Sequence, residues 1–487
     1  MSFPFLSILV FTPVVGALVV FALPREKHLA IKLVSFVSAS LCLALSIHLF
    51  FAYDQTVGGI QFQEKTPWIS SLGISYHLGV DGISLPLLLL TGVIIFCGVL
   101  ISWAKTDRIK EFFALLLILV AGVFGAFVSL DLFLLFFFYE LAVLPMYLLI
   151  GAWGWPQLRE YAAMKLTLYL LVGSAFAFVG VLAIFYEAGL GTFDILELAD
   201  VTFSSRFQTI FFLPIFIGFG VLAGLWPFHT WSPDGHAAAP TAVSMLHAGV
   251  LMKMGAYGAL RVGMLLLPLG AQRWLPWIVI LSLVNVVYGA MVAFAQKDFK
   301  YVIAYSSVSH MGYVLMGFAT MTVIGLSGAS MQMFSHGIMT GLFFAVVGLI
   351  YRRTHTRHIP ELGGLSQKMP VVTIAFIIGG LTSMGMPGLS GFIAEFQVLT
   401  GTWETHPLIA VLSLLGIVIT VAYILKVSYN VFFGELKPEF EHISDISMRE
   451  KVALSVMAIL LIIVGLYPPI LLDVIQVGVE PLVMIFK

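Results

Sequence analysis

Charge is scarce in this chain. Asp, Glu, Lys and Arg make up 10% of its 487 residues, against about 25% in an ordinary soluble domain. That shortage excludes a soluble globular protein and leaves a polytopic membrane protein surrounded by the lipid bilayer. No sign of charge predominates: 24 Lys and Arg stand against 25 Asp and Glu, a formal net charge of −1. Nucleic acid is therefore not an expected partner. Cysteine is nearly absent. Cys42 and Cys97 each stand alone in an apolar run, which excludes a zinc or iron–sulfur set and C-x-x-C redox chemistry. Gly218, Gly220 and Gly224 have a spacing superficially like a dinucleotide fingerprint, but they lie inside an apolar segment and follow no strand. No cofactor or metal is expected in this chain.

What the sequence has in abundance is apolar runs of about 20 residues, the length that crosses a bilayer as a helix. Spans are predicted near Phe3–Leu23, Ala30–Ala52, Asp81–Ala104, Glu111–Ser129, Asp131–Gly151, Tyr161–Tyr186 and Phe207–Trp231. Seven more fall near Thr241–Leu267, Trp274–Ala295, Lys300–Thr320, Leu326–Tyr351, Val371–Thr402, Leu408–Phe433 and Lys451–Leu472. The fold class is thus all-α, with about fourteen transmembrane helices. The first run lacks a basic flank and reads as a span rather than a signal peptide. The run near Val371 is too long for one straight crossing and contains Gly385-Met386-Pro387-Gly388, so an interruption is expected there. Odd-numbered connections carry most of the Lys and Arg, from Arg25 and Lys27 through Arg352, Arg353 and Arg357 to Arg449 and Lys451. Even-numbered connections and the carboxyl end hold only Lys65, Arg206, Arg273 and Lys487. The positive-inside rule then makes the odd connections cytoplasmic and puts both termini on the other side. The Gly-rich stretch 53–80 and the acidic stretch 187–206 read as loops over that outer surface.

The most informative stretch is Leu225–Arg261. Pro227 follows a long helical run and predicts a break, because proline lacks an N–H and clashes with the preceding turn. A polar loop, Trp231–His236, is expected next, and then a span carrying Lys253 near its middle. A lysine at that depth costs about 2.5–3.5 kcal/mol on insertion scales, so intramembrane ionisable groups mark function. Glu140 lies in an equally apolar run, and Glu395 follows the second predicted break. A broken helix beside a charged one is how membrane proteins build ion sites at mid-depth. His247, His310 and His336 come between or beside these groups in chain order. Each alone suits packing; together they suit a relay, since imidazole titrates near neutrality. Lys165, about a turn inside its span, and Lys426 suit snorkelling to the headgroups. Asp131 suits a helix cap. His229 and His236 have no ligand spacing that would suit a metal.

Several of these motifs together resemble one family. YELAVLPMYLLIGAWG, LWPFHTWSPDGHAAAPTA, HAGVLMKMGAYGALR, KDFKYVIAYSSVSHMG, FSHGIMTGLFF and GMPGLSGFIAEF are similar to the antiporter-like proton-pumping membrane subunits of respiratory complex I, over about residues 79–434. The M-type chain is the nearest, because the resemblance implies a carboxylate at Glu395 there and a lysine in L-type, N-type and Mrp-type chains. It further implies inverted five-helix repeats. Within a single transmembrane domain, 1–487, these would leave about 1–110 as N-terminal helices, 111–267 and 274–433 as the two repeats, and 451–487 as a C-terminal helix and tail. It implies proton transfer through Glu140, Lys253 and Glu395, with redox chemistry in other subunits. The implied partners are L-type, N-type and small K-type membrane chains in a bacterial inner or equivalent energy-coupling membrane. The alternatives are an Mrp-type cation/proton antiporter subunit, a hydrogenase- or ferredoxin-linked relative, or a structural paralogue that no longer pumps. One departure stands out. The family's lysine seven residues before the His of the first break, the implied partner of Glu140, is here Leu222. Lys165 is the expected substitute.

Overall fold

The computed structural model describes residues 3–486; Lys487, counted above with the outer side, lies outside them. In lipid every backbone N–H and C=O must be satisfied within the protein, which permits helices and little else. The chain accordingly runs as α1 (Phe5–Ala22), α2 (His28–Ala52), α3 (Ser84–Ile101), α4 (Ile109–Val128), α5 (Leu132–Trp153) and α6 (Arg159–Ala188). A short α7 (Ile195–Ala199) precedes α8 (Ser205–Ala223), α9 (Trp231–Ala238), α10 (Thr241–Leu246) and α11 (Met252–Gly258). Then come α12 (Pro268–Ala295), α13 (Phe299–Ala319), α14 (Val323–Thr354), α15 (Pro370–Ser383), α16 (Ser390–Thr405), α17 (Pro407–Val427), α18 (Met448–Leu466) and α19 (Pro469–Ile485). Among the described residues, eleven helices are individually long and apolar enough to cross a membrane. The other predicted spans fall on α10–α11, the pair α15–α16, and α18. Helix α19 turns away from α18 by 72°. Helix α14 is the hub, 94% buried over its most apolar window and packed against α3, α10, α13, α15, α16, α18 and α19.

Both predicted interruptions exist, and tertiary contacts satisfy the first. Helix α8 ends at Gly224, whose φ of +80° suits glycine. The freed backbone is held from neighbouring helices. Asn285 of α12 donates from Nδ2 to the Gly224 carbonyl at 2.7 Å and accepts from the Trp226 N–H at 2.6 Å. The Trp231 indole donates to the Val221 carbonyl at 2.9 Å. One expectation is corrected here: Trp231–His236 is not a loop but most of α9. Its Trp, Ser, Pro and His side chains are buried, and the apolar stretch Leu225–Thr230 is the unwound part. The second break spans Met384–Leu389, with Gly385 at φ +67° and its open face toward Glu395. Between α10 and α11 the helix widens into a π stretch, His247–Leu251, and a second π stretch follows at Ala259–Met264. Such bulges are frequent at functional sites.

The two connections expected to be outer loops are more ordered than hydropathy indicates. Strands β1 (Gln61–Ile69) and β2 (Ile74–Val80) form an antiparallel hairpin. Asp194, buried in the loop after α6, ties it down: His77 Nδ1 lies 2.7 Å and Lys65 Nζ 2.6 Å from its carboxylate. Burial alone would raise the Asp194 carboxyl, but the His77 and Lys65 hydrogen bonds overcome that and hold it well below the usual carboxylate range. Asp131 caps α5, accepting from the Phe133 and Leu134 N–H groups, as its position suggested.

Candidate functional site

Five helix segments bring four ionisable side chains into one buried string. Helix α11 supplies Lys253, α14 His336, α13 His310 and α16 Glu395; α15 adds Ser383. Lys253 is fully buried, and the other three are at most 3% exposed. The Lys253 ammonium lies 2.8 Å from His336 Nδ1 and also bonds the Ala248 carbonyl, which lies within the π stretch. The His336 and His310 rings stack with centroids 5.3 Å apart. His310 Nδ1 lies 3.0 Å from the Glu395 carboxylate, and its Nε2 lies 2.9 Å from the Ser383 hydroxyl. Gln332, one turn before His336 on the same face of α14, donates to Glu395 at 3.4 Å. Proton positions on these rings follow from the bonds. If Lys253 donates to His336 Nδ1, the His336 proton sits on Nε2. If His310 donates to Glu395, its Nε2 accepts from Ser383. The Lys253–His336 and His310–Glu395 contacts are direct; the ring stack between them needs a water or a ring rotation to pass a proton.

The other predicted residues sit elsewhere. His247 does not touch Lys253's ammonium; its ring lies 4.1 Å from the His236 ring and 5.1 Å from Trp231, with both nitrogens unpartnered. His236 Nε2 lies 3.0 Å from the Ser232 hydroxyl. Glu140 is only half-buried, beside the exposed stripe Phe137, Leu144 and Leu148, and its buried Oε1 has no hydrogen-bond partner. Lys165 does not replace the missing partner of Glu140. Its ammonium is bound at 2.7 Å to Asp234 of α9, which also accepts from the Tyr301 hydroxyl at 2.7 Å. The reason is geometric: α9 resumes beside α6 at the end bearing the basic connections and presents Asp234 there. Leu222 is fully buried.

Sequence reasoning missed three parts of this polar interior. Arg261 of the second π stretch pairs with Asp81 at the start of α3, both buried. Both residues stood at the margins of predicted spans, opposite in sign and at the same end, which was a usable signal. Asn285, in the middle of an apolar run, was another. Lys300, 7% exposed, donates to the Ala239 carbonyl at 2.5 Å and to Ser244 Oγ at 3.2 Å, and Ser244 donates in turn to the His236 carbonyl at 2.9 Å.

Comparison with known proteins agrees with this architecture. The family described as NADH:quinone oxidoreductase/Mrp antiporter, TM, matches residues 129–420. The chain is 39% identical to NADH-quinone oxidoreductase subunit M of Rhodobacter capsulatus, over 98% of this chain and 96% of that one. It is similar to a chain of respiratory complex I from Thermus thermophilus, with a TM-score of 0.92 at 28% identity, covering 99% of this chain and 100% of that one. A chain of the Mrp complex from Dietzia has the same fold, with a TM-score of 0.87 at 20% identity and 99% of each chain covered.

Proposed function

The chain belongs to the NADH:quinone oxidoreductase/Mrp antiporter family of membrane proteins, and from that premise we propose that it translocates protons as the M-type subunit of a complex I-type NADH:quinone oxidoreductase. The observation that carries this reading is the buried string Lys253–His336–His310–Glu395. Burying four ionisable groups at mid-membrane is costly unless they serve transport. The two outer links each join a donor to an acceptor, the two rings stack between them, and imidazole is the group that exchanges protons near neutral pH. Moving one proton from His310 to Glu395, or from Lys253 to His336, changes the charge seen by the next group. Nearby charges set proton affinity, so a charge change at one end of the string is felt at the other.

Redox chemistry belongs to other subunits of such a complex, and quinone reduction there would supply the driving force. The partners are neighbouring L-type, N-type and K-type membrane chains. The exposed apolar faces of α5 and α6, with Leu144 at 63% and Leu171 at 58%, are suited to lipid or to such a neighbour. The basic connections are cytoplasmic and both termini lie on the opposite side. A cation/proton antiporter of the Mrp type is disfavoured by Glu395 where that class is expected to carry lysine. Identifying the subunits that co-purify decides between the two.

The test is Lys253→Met in the assembled complex, reconstituted into liposomes. A neutral side chain of similar length removes the charge at one end of the string while keeping the packing volume. Proton-to-electron stoichiometry should fall while the complex still assembles. An unchanged stoichiometry in fully assembled mutant complex refutes the role.

A further inference from the structure

A cavity of about 440 Å³ opens at the end of the bundle that carries the basic connections. It lies between the last turns of α3, α5, α9 and α14 and the first turn of α13. Lys105, Lys300, Arg352, His355 and Arg357 line it, and no carboxylate does among the described residues. Basic connections are expected at this face for topological reasons, but those residues should point to water. Arg357 and Lys300 do not: each is only 7% exposed.

Arg357 is built into the wall. Its guanidinium stacks over Trp155 at 3.9 Å, its Nη1 donates to the Ala237 carbonyl at 2.7 Å, and Asp298 lies 2.5 Å from its Nε. Its Nη2 is buried with no partner among the described residues. A buried charged donor left unmade is expensive, so it implies a ligand at that position. Lys105 rests on the rings of Phe112 and Trp153, at 4.8 and 5.9 Å. Burial holds its ammonium below the ordinary range, with Asp107 offsetting only part of that. Glu450 reaches Arg352 and Arg353 from outside the cavity. Asp298 and Glu450 offset Arg357 and Arg352, but Lys105 and Lys300 make no ion pair among the described residues, so the wall keeps a surplus of positive charge.

We propose that this cavity binds a phosphate group, with Arg357 Nη2 as its buried donor and Lys105 and Arg352 as its rim. A guanidinium fork matches phosphate oxygens. Two sources carry that chemistry, a phospholipid headgroup and a soluble phosphate. The aromatic lip of Trp153, Trp155 and Tyr351, with Ile101 and Leu349 beside it, has the composition of a membrane–water interface and suits the headgroup. Basic pockets between transmembrane helices take anionic headgroups in this way. The site stands independently of proton translocation.

The test uses the protein in its native assembly, placed in phosphatidylcholine nanodiscs. Phosphatidylglycerol and inorganic phosphate are the probes. Native mass spectrometry counts retained phosphatidylglycerol, and equilibrium dialysis measures phosphate. Arg357→Gln and Lys105→Gln should each raise the phosphatidylglycerol needed for half-occupancy about tenfold, the loss expected for one charge-assisted bond. Displacement of phosphatidylglycerol by inorganic phosphate supports the same site with a soluble source. Lys105→Gln leaves the Arg357–Asp298 contact intact, so it answers the question even if Arg357→Gln fails to assemble. Variants that hold both probes as tightly as wild type overturn the proposal.

Discussion

The two halves of the molecule each contain a broken helix, yet they treat charge in opposite ways. In the second half, the break between α15 and α16 opens onto Glu395, which His310, Gln332 and the Lys253–His336 pair join in one buried string. In the first half, the break between α8 and α9 is closed by neutral groups, Asn285 and Trp231. Leu222 is buried where the resemblance implies lysine, Glu140 has an unpartnered oxygen on a half-exposed face, and Lys165 is taken up by Asp234. The same backbone device therefore opens onto a buried carboxylate at the second break, and at the first it is closed by neutral groups while the ion pair Lys165–Asp234 sits apart, between α6 and α9. A break in a helix creates room for a site, and the side chains beside it decide whether a site is made.

The largest effect should come from Glu395→Gln, which removes the acceptor at the end of the string. Coupled proton movement in proteoliposomes should fall about tenfold or more, the range expected for losing a positioned acid–base group. Leu222→Lys probes the other half. It supplies the lysine that Glu140 lacks, and coupling should rise by up to about twofold as a nearby cation favours the ionised carboxylate. A fall below wild type would mean that Glu140 already works as it stands. Glu140→Gln should change coupling by less than about twofold, since no charged partner is lost. If it equals Glu395→Gln in effect, the contrast between the halves collapses. The smallest effect is structural. Asp194→Asn should destabilise the packing of the β1–β2 hairpin by about 1–3 kcal/mol by weakening hydrogen bonds to a buried charged group, read as a lower melting temperature at pH 7. Because the Asp194 carboxyl is depressed on folding, its contribution is fully present above the unfolded value of about 3.9. It fades as pH falls through the lower folded value. Wild type should therefore lose this increment only in acid, and the Asn variant should show no such loss.

Much of the fold was legible because hydropathy is a local property. Each of the fourteen predicted spans has a helical counterpart, and Gly385-Met386-Pro387-Gly388 announced its break by composition alone. The expected loop at Trp231–His236 went wrong because polar residues such as Ser232, Asp234 and His236 read as exposed, whereas α6 and α13 pack over α9 and bury it. The hairpin at Gln61–Val80 was obscured by its Gly-rich approach and by its reliance on Asp194, more than a hundred residues away. Lys253 and Glu395, like Glu140, were picked out by the cost of placing a charge in lipid, and His310 and His336, like His247, by their place beside them in chain order.

What the sequence determined by itself was a list: the spans, two of their breaks, and the ionisable residues near the middle of a span. These follow from bilayer thickness and transfer cost, which act on each segment separately. What only the tertiary structure decided was the pairing. Lys165 meets Asp234 rather than Glu140, Arg261 meets Asp81, and Lys253 reaches Glu395 through two histidines on different helices. Pairing depends on helix rotation and neighbour choice, set by packing across the whole bundle, and no single segment encodes it.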